Sequence, residues 1–174
     1  MTETDKPETG KPETGKPEIS ELGVESPVGP LTLRERDGAI VSVGWGKPHG
    51  TPKGTVRETP VLLAAAAQLD GYFFCKLERF ELPLAPAGSE FDRQVWDAML
   101  EIPYGRTLTY GEIAAKIGGN ARDVGGACGR NPIPIIIPCH RVMGANGALT
   151  GYSGGAGVET KQALLALEGV LLPL

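Results

Sequence analysis

The 174 residues carry 21 acidic and 17 basic side chains, a formal net charge of −4, with 41% apolar residues, enough to build a packed core but too acidic overall for a polycationic nucleic-acid binder. Three cysteines with no paired spacing exclude a disulfide framework, and with only two histidines no zinc-ligand spacing exists, so neither a metal nor a cofactor is expected. The opening MTETDKPETG lacks the cationic and apolar segments of a signal peptide, and no apolar run approaches the ~20 residues of a membrane span, so a cytoplasmic protein without membrane contact is expected.

Charge is uneven along the chain. Residues 1–25 hold three lysines against seven acids, which accounts for the whole net charge. Lys6-Pro7-Glu8-Thr9-Gly10 recurs as Lys11-Pro12-Glu13-Thr14-Gly15, and Lys16-Pro17-Glu18-Ile19-Ser20 is a decayed third copy. Repeats so rich in proline and charge cannot bury a core, so 1–25 is expected to be a disordered tail. From Ser26 the pattern changes. Leu31-Thr32-Leu33-Arg34-Glu35-Arg36 and Ala39-Ile40-Val41-Ser42-Val43 flank Asp37-Gly38 and predict a β-hairpin. Thr59-Pro60 opens an Ala/Leu-rich helix to about Phe74, and Phe80-Glu81-Leu82 reads as a short strand. Ala85-Pro86-Ala87-Gly88 is a linker. The predicted organisation is an α/β domain over 26–84, a small antiparallel sheet plus helix, then a mainly helical domain over 89–174.

In that second domain Ser89 caps a helix whose apolar face is Phe91, Val95, Trp96, Met99 and Leu100, ended before Pro103. Thr109 with Glu112 forms a capping box for a short helix containing Ile113 and Ile117, stopped by Gly118-Gly119. Another helix follows, from about Ala121 to Gly129, closed by Asn131-Pro132. Two short helices joined by a tight glycine turn are a helix-turn-helix, with Arg122 at the start of the second, where recognition helices meet DNA. Five cations against two acids between Pro103 and Ala145 allow a modest basic face there.

Ile133-Pro134-Ile135-Ile136-Ile137-Pro138 delivers the chain to Cys139 as a buried, proline-braced segment. Burial alone makes a thiol inert, which argues for a structural cysteine. His140 and Arg141 bring a reactive cysteine level with it, because polar residues ending an apolar run need a reason to be there. Neighbouring side chains in an extended segment point apart, so Cys139 and His140 need a water or a backbone turn between them. Cys75 and Cys128 read as core thiols, Trp45 and Trp96 as core, Tyr104 as a packing residue at a turn, and His49 as a solvated loop residue.

Ile137-Pro138-Cys139-His140-Arg141-Val142, preceded by Gly129-Arg130-Asn131-Pro132 and followed by Gly151-Tyr152-Ser153-Gly154-Gly155, resembles the active-site region of the O6-alkylguanine-DNA alkyltransferases. The similarity runs from about Phe91 to Gly169, more loosely from Ser26. The resemblance implies a ribonuclease-H-like N-terminal domain and a winged helix-turn-helix C-terminal domain. It implies a monomer, acting on double-stranded DNA containing O6-alkylguanine, that flips the base and transfers its alkyl group irreversibly to Cys139 without a cofactor. By that resemblance His140 accepts the thiol proton through a water and Glu168 holds the imidazole. Tyr110 donates to the flipped base, Ser153 bonds near its O6, and the carbonyls of Cys139 and Val142 accept from its exocyclic amine. Asn131 braces the turn before the cysteine, Arg122 enters the stack where the base left, and Tyr152 and Arg130 complete the substrate and DNA contacts.

Two departures from the family pattern stand out: Gly118-Gly119-Asn120 shortens the turn before the recognition helix, and Ala156-Gly157-Val158 lengthens the segment before Glu168. Three other functions fit parts of the sequence. A non-enzymatic lesion binder would lack the nucleophile, which is present. A cysteine hydrolase would recruit its histidine from a distant segment. A transcription regulator would use the helix-turn-helix alone.

Overall fold

The computed structural model describes residues 18–48 and 54–170. Its first sheet is built on the hairpin expected around Asp37-Gly38. Strands β2 (Leu31–Arg36) and β3 (Ala39–Trp45) pair antiparallel, with Asp37 and Gly38 at φ of 52° and 79° and a bulge between Arg34 and Glu35. Positive φ at both turn positions matches the twist of the strands, which is why Asp-Gly suits this turn.

β1 (Ile19–Val24) lies antiparallel beside β2, and β4 (Gly54–Val56) pairs parallel with β1, so the order is β3-β2-β1-β4. β1 corrects the expected tail, which was drawn to residue 25: the chain is already an inner strand at Ile19. Composition hid it because its buried positions include Ser20 and Glu21. Glu21 is tolerated there because Arg34, its register partner on β2, donates Nε–H to it at 2.8 Å. The repeats at 1–17, and His49, lie outside the described residues.

Helix α1 (Pro60–Phe73) starts where Thr59 accepts from the Leu62 N–H, with Pro60 in its first turn. Leu62, Ala65, Leu69 and Tyr72 form its buried stripe and meet Leu31, Leu33, Ile40 and Val43 of the sheet. The expected strand at Phe80–Leu82 does not form. The chain instead touches β3 once, with Ile40 N–H donating to Pro83 O and Ala85 N–H to Ile40 O, both 2.9 Å. Pro83 has no N–H to extend that ladder.

Helix α2 (Glu90–Leu100) carries a capping box between Ser89 and Asp92. Val95, Trp96 and Met99 are buried as expected, whereas Leu100 is 46% exposed. Trp96 donates its indole N–H to Ala127 O at 2.9 Å, tying α2 to the helix over Ala121–Gly129. After β5 (Leu108–Thr109), helix α3 (Tyr110–Ile117) begins on the Thr109–Glu112 capping box. It ends at Gly118, whose φ of 77° a side chain would resist. Asn120 then caps α4 (Ala121–Gly129), so the shortened turn still closes with both helix ends satisfied.

The segment before Cys139 is buried but not extended. Ile137 N–H returns to Ile133 O at 2.9 Å, with Ile135 between them at a φ of 74°. Cys139–Arg141 is one 3-10 turn, and β6 (Val142–Met143) pairs parallel with β5. That pair fastens the cysteine turn to the root of α3. Helix α5 (Val158–Leu167) closes the fold and delivers Glu168 as its C-cap. The extra residues before it are taken up ahead of Val158, where Ala156 N–H bonds Thr160 Oγ1 at 2.9 Å.

Candidate functional site: a buried thiol and its proton acceptor

Cys139 sits at the start of the 3-10 turn, 8% exposed, on the wall of a cavity of about 230 Å³. Val43 and Trp45 of β3, Asn131, Pro134, and the loop Gly151–Gly154 form other parts of that wall. Burial pushes the thiol pKa up, while the Asn131 side chain and the charge of Lys161 pull it back. Lys161 is fully buried on α5 and donates to the carbonyls of Val142 and Thr150, at 2.5 and 2.9 Å. Thiolate formation is therefore opposed by burial and favoured by a buried cation and a hydrogen-bond donor.

Cys139 and His140 share one 3-10 turn rather than an extended segment. His140 is fully buried and its Nε2 lies 2.7 Å from Glu168 Oε1. Burial holds the imidazole pKa below its ordinary value, against the opposing pull of Glu168. Burial also opposes the Glu168 charge, but hydrogen bonds from His140 and Arg141 outweigh it and hold the carboxyl at about 2. An ionised carboxylate only accepts, so Nε2 carries the proton and Nδ1 is left as the basic nitrogen. Nδ1 is buried and has no hydrogen-bond partner among the described residues.

Glu168 is held from several sides. Arg141 donates Nε–H to Oε2 at 2.9 Å and Nη2–H to Oε1 at 2.9 Å, while its other arm donates to Ile102 O at 2.7 Å. Tyr72 of α1 donates its hydroxyl to Oε1 at 2.8 Å, and Gly105 N–H reaches Oε2 at 3.3 Å. Tyr104 donates to Leu167 O at 3.1 Å and lies under the Arg141 guanidinium.

Asn131 links the end of α4 to the segment before the cysteine: its Nδ2–H donates to Ile137 O at 2.9 Å and its Oδ1 accepts from Ile133 N–H at 3.0 Å. Tyr110, the first residue of α3, donates to Thr150 O at 3.2 Å. Ser153 is exposed on the cavity rim, and the Tyr152 hydroxyl is buried in the wall with no partner among the described residues. Trp45 packs edge-on to Tyr152, and a Cβ at Gly154 would stand 2.5 Å from the Trp45 ring, so this loop needs glycine there. The carbonyls of Cys139 and Val142 already accept from Val142 N–H and Lys161 respectively, each keeping a second lone pair.

Arg122 is exposed at the start of α4 and makes no ion pair among the described residues. Arg130 is tied to Asp92 at 2.7 Å, and Lys116 to Glu101 at 3.2 Å. With Arg141 buried on Glu168, the basic face counted from the sequence shrinks around Arg106 and Arg122. Asp123, beside the proposed finger, is bonded by the Asn120 amide at 2.6 Å.

Other expectations are corrected. Cys75 is exposed, not a core thiol. Cys128 is buried, with its pKa pushed up to about 12 by burial, yet it also lines the Cys139 cavity. Trp45 is a half-buried cavity wall, whereas Trp96 is core. Tyr72, Lys161 and Trp45 were missed as site residues. Tyr72 and Lys161 each had a signal, a polar head at a position of an otherwise apolar stripe.

The profile of the 6-O-methylguanine DNA methyltransferase DNA-binding domain matches residues 90–170. The methylated-DNA–protein-cysteine methyltransferase of Methanosarcina acetivorans is 47% identical over 150 residues, covering 83% of this chain and 95% of that protein. The protein of the same name from Mycolicibacterium paratuberculosis is 50% identical over 149 residues, covering 83% of this chain and 89% of its own length. The crystal structure of Mycobacterium tuberculosis OGT in complex with DNA superposes with a TM-score of 0.77 at 43% identity, covering 87% of this chain and 92% of that one.

Proposed function

The chain belongs to the methylated-DNA–protein-cysteine methyltransferase family, and we propose that Cys139 is the residue on which its alkyl transfer takes place. The activity is DNA repair by moving the alkyl group of O6-alkylguanine in DNA to a cysteine of the protein. The observation that carries the assignment is Cys139 on the cavity wall, followed in one turn by a histidine whose Nε2 is held at 2.7 Å by Glu168.

The damaged base leaves the duplex and enters the cavity, with Arg122 filling the place it vacates. The thiol proton passes through a water to His140 Nδ1, and Glu168 stabilises the imidazolium that forms. The thiolate attacks the alkyl carbon, the S–C bond forms, and the C–O6 bond breaks with its electron pair leaving on the base. Tyr110 donates to the departing guanine, taking its proton off Thr150 O, and Ser153 bonds near O6. The second lone pairs of the Cys139 and Val142 carbonyls take the exocyclic amine. Asn131 keeps the cysteine turn in register with α4. Tyr152 contributes its unpartnered hydroxyl to the cavity wall, and Arg130, although paired with Asp92, keeps an exposed guanidinium near the DNA face. The thioether is stable, so each molecule reacts once.

The finer architecture follows the same reading. α1 over the four-stranded sheet supports a ribonuclease-H-like N-terminal unit, which starts at β1. α3 and α4 with the β5–β6 pair support a winged helix-turn-helix.

Incubation with a duplex oligonucleotide containing one O6-methylguanine, followed by intact mass and peptide mapping, tests the assignment. The expected result is one methyl group per molecule, on Cys139, and none on Cys139→Ser, which still binds the DNA. Unmodified wild-type protein, or a methyl group on Cys128, would show that the acceptor is misassigned.

A further inference from the structure

The profile match begins at residue 90, yet one hydroxyl on the reacting cluster comes from before it. Tyr72 is fully buried at the end of the α1 core stripe. The rings of Phe73, Phe80 and Tyr104 surround it, with centroids 5.3, 5.5 and 6.1 Å away. That collar fixes the phenol so that its O–H meets Glu168 Oε1 at 2.8 Å and lies 3.4 Å from His140 Nε2.

We propose that Tyr72 is a positioning residue of the transfer reaction: its hydroxyl occupies the same Glu168 oxygen that holds His140, and so limits how strongly that carboxylate draws the imidazole proton. The inference rests on His140 being the base for Cys139. Oε1 accepts from Tyr72, from His140 Nε2–H and from Arg141 Nη2–H, at 2.8, 2.7 and 2.9 Å. A carboxylate oxygen has about two lone-pair directions, so these donors compete. Each donor beyond His140 spreads the negative charge and weakens its pull on the proton.

A base must be unprotonated before it can take a proton, and the groups facing His140 are arranged to keep it so. Glu168 at the end of α5 favours the imidazolium. Arg141 on the same turn and Lys161 on α5 disfavour it, as does burial. Tyr104, from the segment after α2, and Tyr72, from α1, are neutral; burial pushes the pKa of both phenols up, so each remains a donor. Tyr72 moderates the one group that would otherwise hold His140 in its charged form.

The test is the single-turnover rate of methyl uptake against pH in full-length protein, with the His140 ring titrated by NMR in the unreacted state. Tyr72→Phe keeps the ring collar and removes the donor. The expected result is that the acid limb of the rate, and the His140 titration, both move to higher pH by about half a unit or more. The rate on the plateau should stay within a few-fold of wild type. A site-specific fluorotyrosine at 72, a stronger donor of nearly the same size, should move both to lower pH, and it decides the matter if Tyr72→Phe does not fold. A slower rate at every pH with an unmoved limb, or an unmoved His140 titration in the fluorotyrosine protein, overturns the proposal. Absence of methyl uptake by the wild type would instead count against the Cys139 assignment, and the NMR titration would still read the effect of Tyr72.

Discussion

Glu168 accepts hydrogen bonds from Tyr72, Gly105, His140 and Arg141, so its partners include a buried imidazole and a buried guanidinium. Removing its charge therefore acts twice. Glu168→Gln leaves Arg141 buried without its counter-charge, so unfolding free energy should fall by about 3 kcal/mol in urea titrations. It also stops stabilising the imidazolium, so methyl uptake should slow by about 100-fold. The same group sets an acid limit. Its folded pKa lies near 2 against an ordinary 4.5, so its stabilisation is present above pH 4.5 and is lost as pH falls toward 2. His140 adds an earlier loss: its pKa is depressed by burial, so the unfolded chain takes up the proton first as pH falls below about 6.5. Thermal midpoints measured against pH should decline in two stages: a curve flat from pH 7 to pH 4 would show that His140 is not coupled to folding, and one flat from pH 4.5 to pH 2 would show the same of Glu168.

At the level of elements, the cysteine turn is held by the end of α4 on one side and by the β5–β6 pair on the other. Asn131 makes the first attachment, and Asn131→Ala should cost about 2 kcal/mol because it leaves the Ile133 N–H without its partner and the Ile137 carbonyl with the Cys139 N–H alone. Differential scanning calorimetry reads the stability, and a rate loss larger than the stability loss implies would confirm that the turn loses its register. The helix ends were legible because their signals are local: Ser89, Thr109 and Asn120 each accept from a backbone N–H three residues on. The expected strand at Phe80–Leu82 failed, and the backbone path of Ile133–Pro138 was not legible, for the opposite reason. Apolar content shows that a segment is buried but not how the backbone satisfies its hydrogen bonds.

Across the whole molecule, the N-terminal unit does more than support the second half. It contributes Tyr72 to the proton-transfer cluster and Val43 and Trp45 to the cavity, and Val43 N–H bonds Pro132 O at 2.9 Å across the boundary. Deleting residues 1–17 should leave the melting temperature and methyl uptake unchanged. Deleting 1–25 removes β1 from between β2 and β4 and should abolish both, since the Glu21–Arg34 pair and the sheet order depend on it. Equal behaviour of the two truncations, read by circular dichroism and mass, would contradict the place given to β1. On the DNA side, Arg122→Ala should slow repair of duplex DNA by about tenfold or more while leaving transfer from the free modified base within about twofold, because unstacking a base costs a few kcal/mol only in the duplex.

What the residues show on their own is local: the hairpin turn, the helix caps, the apolar stripes and the motif from Ile137 to Val142. The resemblance carried by that motif made Cys139, His140, Asn131, Tyr110, Arg122 and Glu168 the candidates. Which charges find a partner was settled by packing in the fold. Arg141 and Arg130 count as cations in the sequence but are bound to Glu168 and Asp92 in the fold. It alone placed β1 inside the sheet, set Trp45 at the cavity, and brought Tyr72 to a carboxylate 96 residues away. The physical reason is the same in each case. Propensity and capping act over a few neighbouring residues, whereas the partner of a buried polar group is chosen by packing, which joins segments whose separation along the chain leaves no mark in their composition.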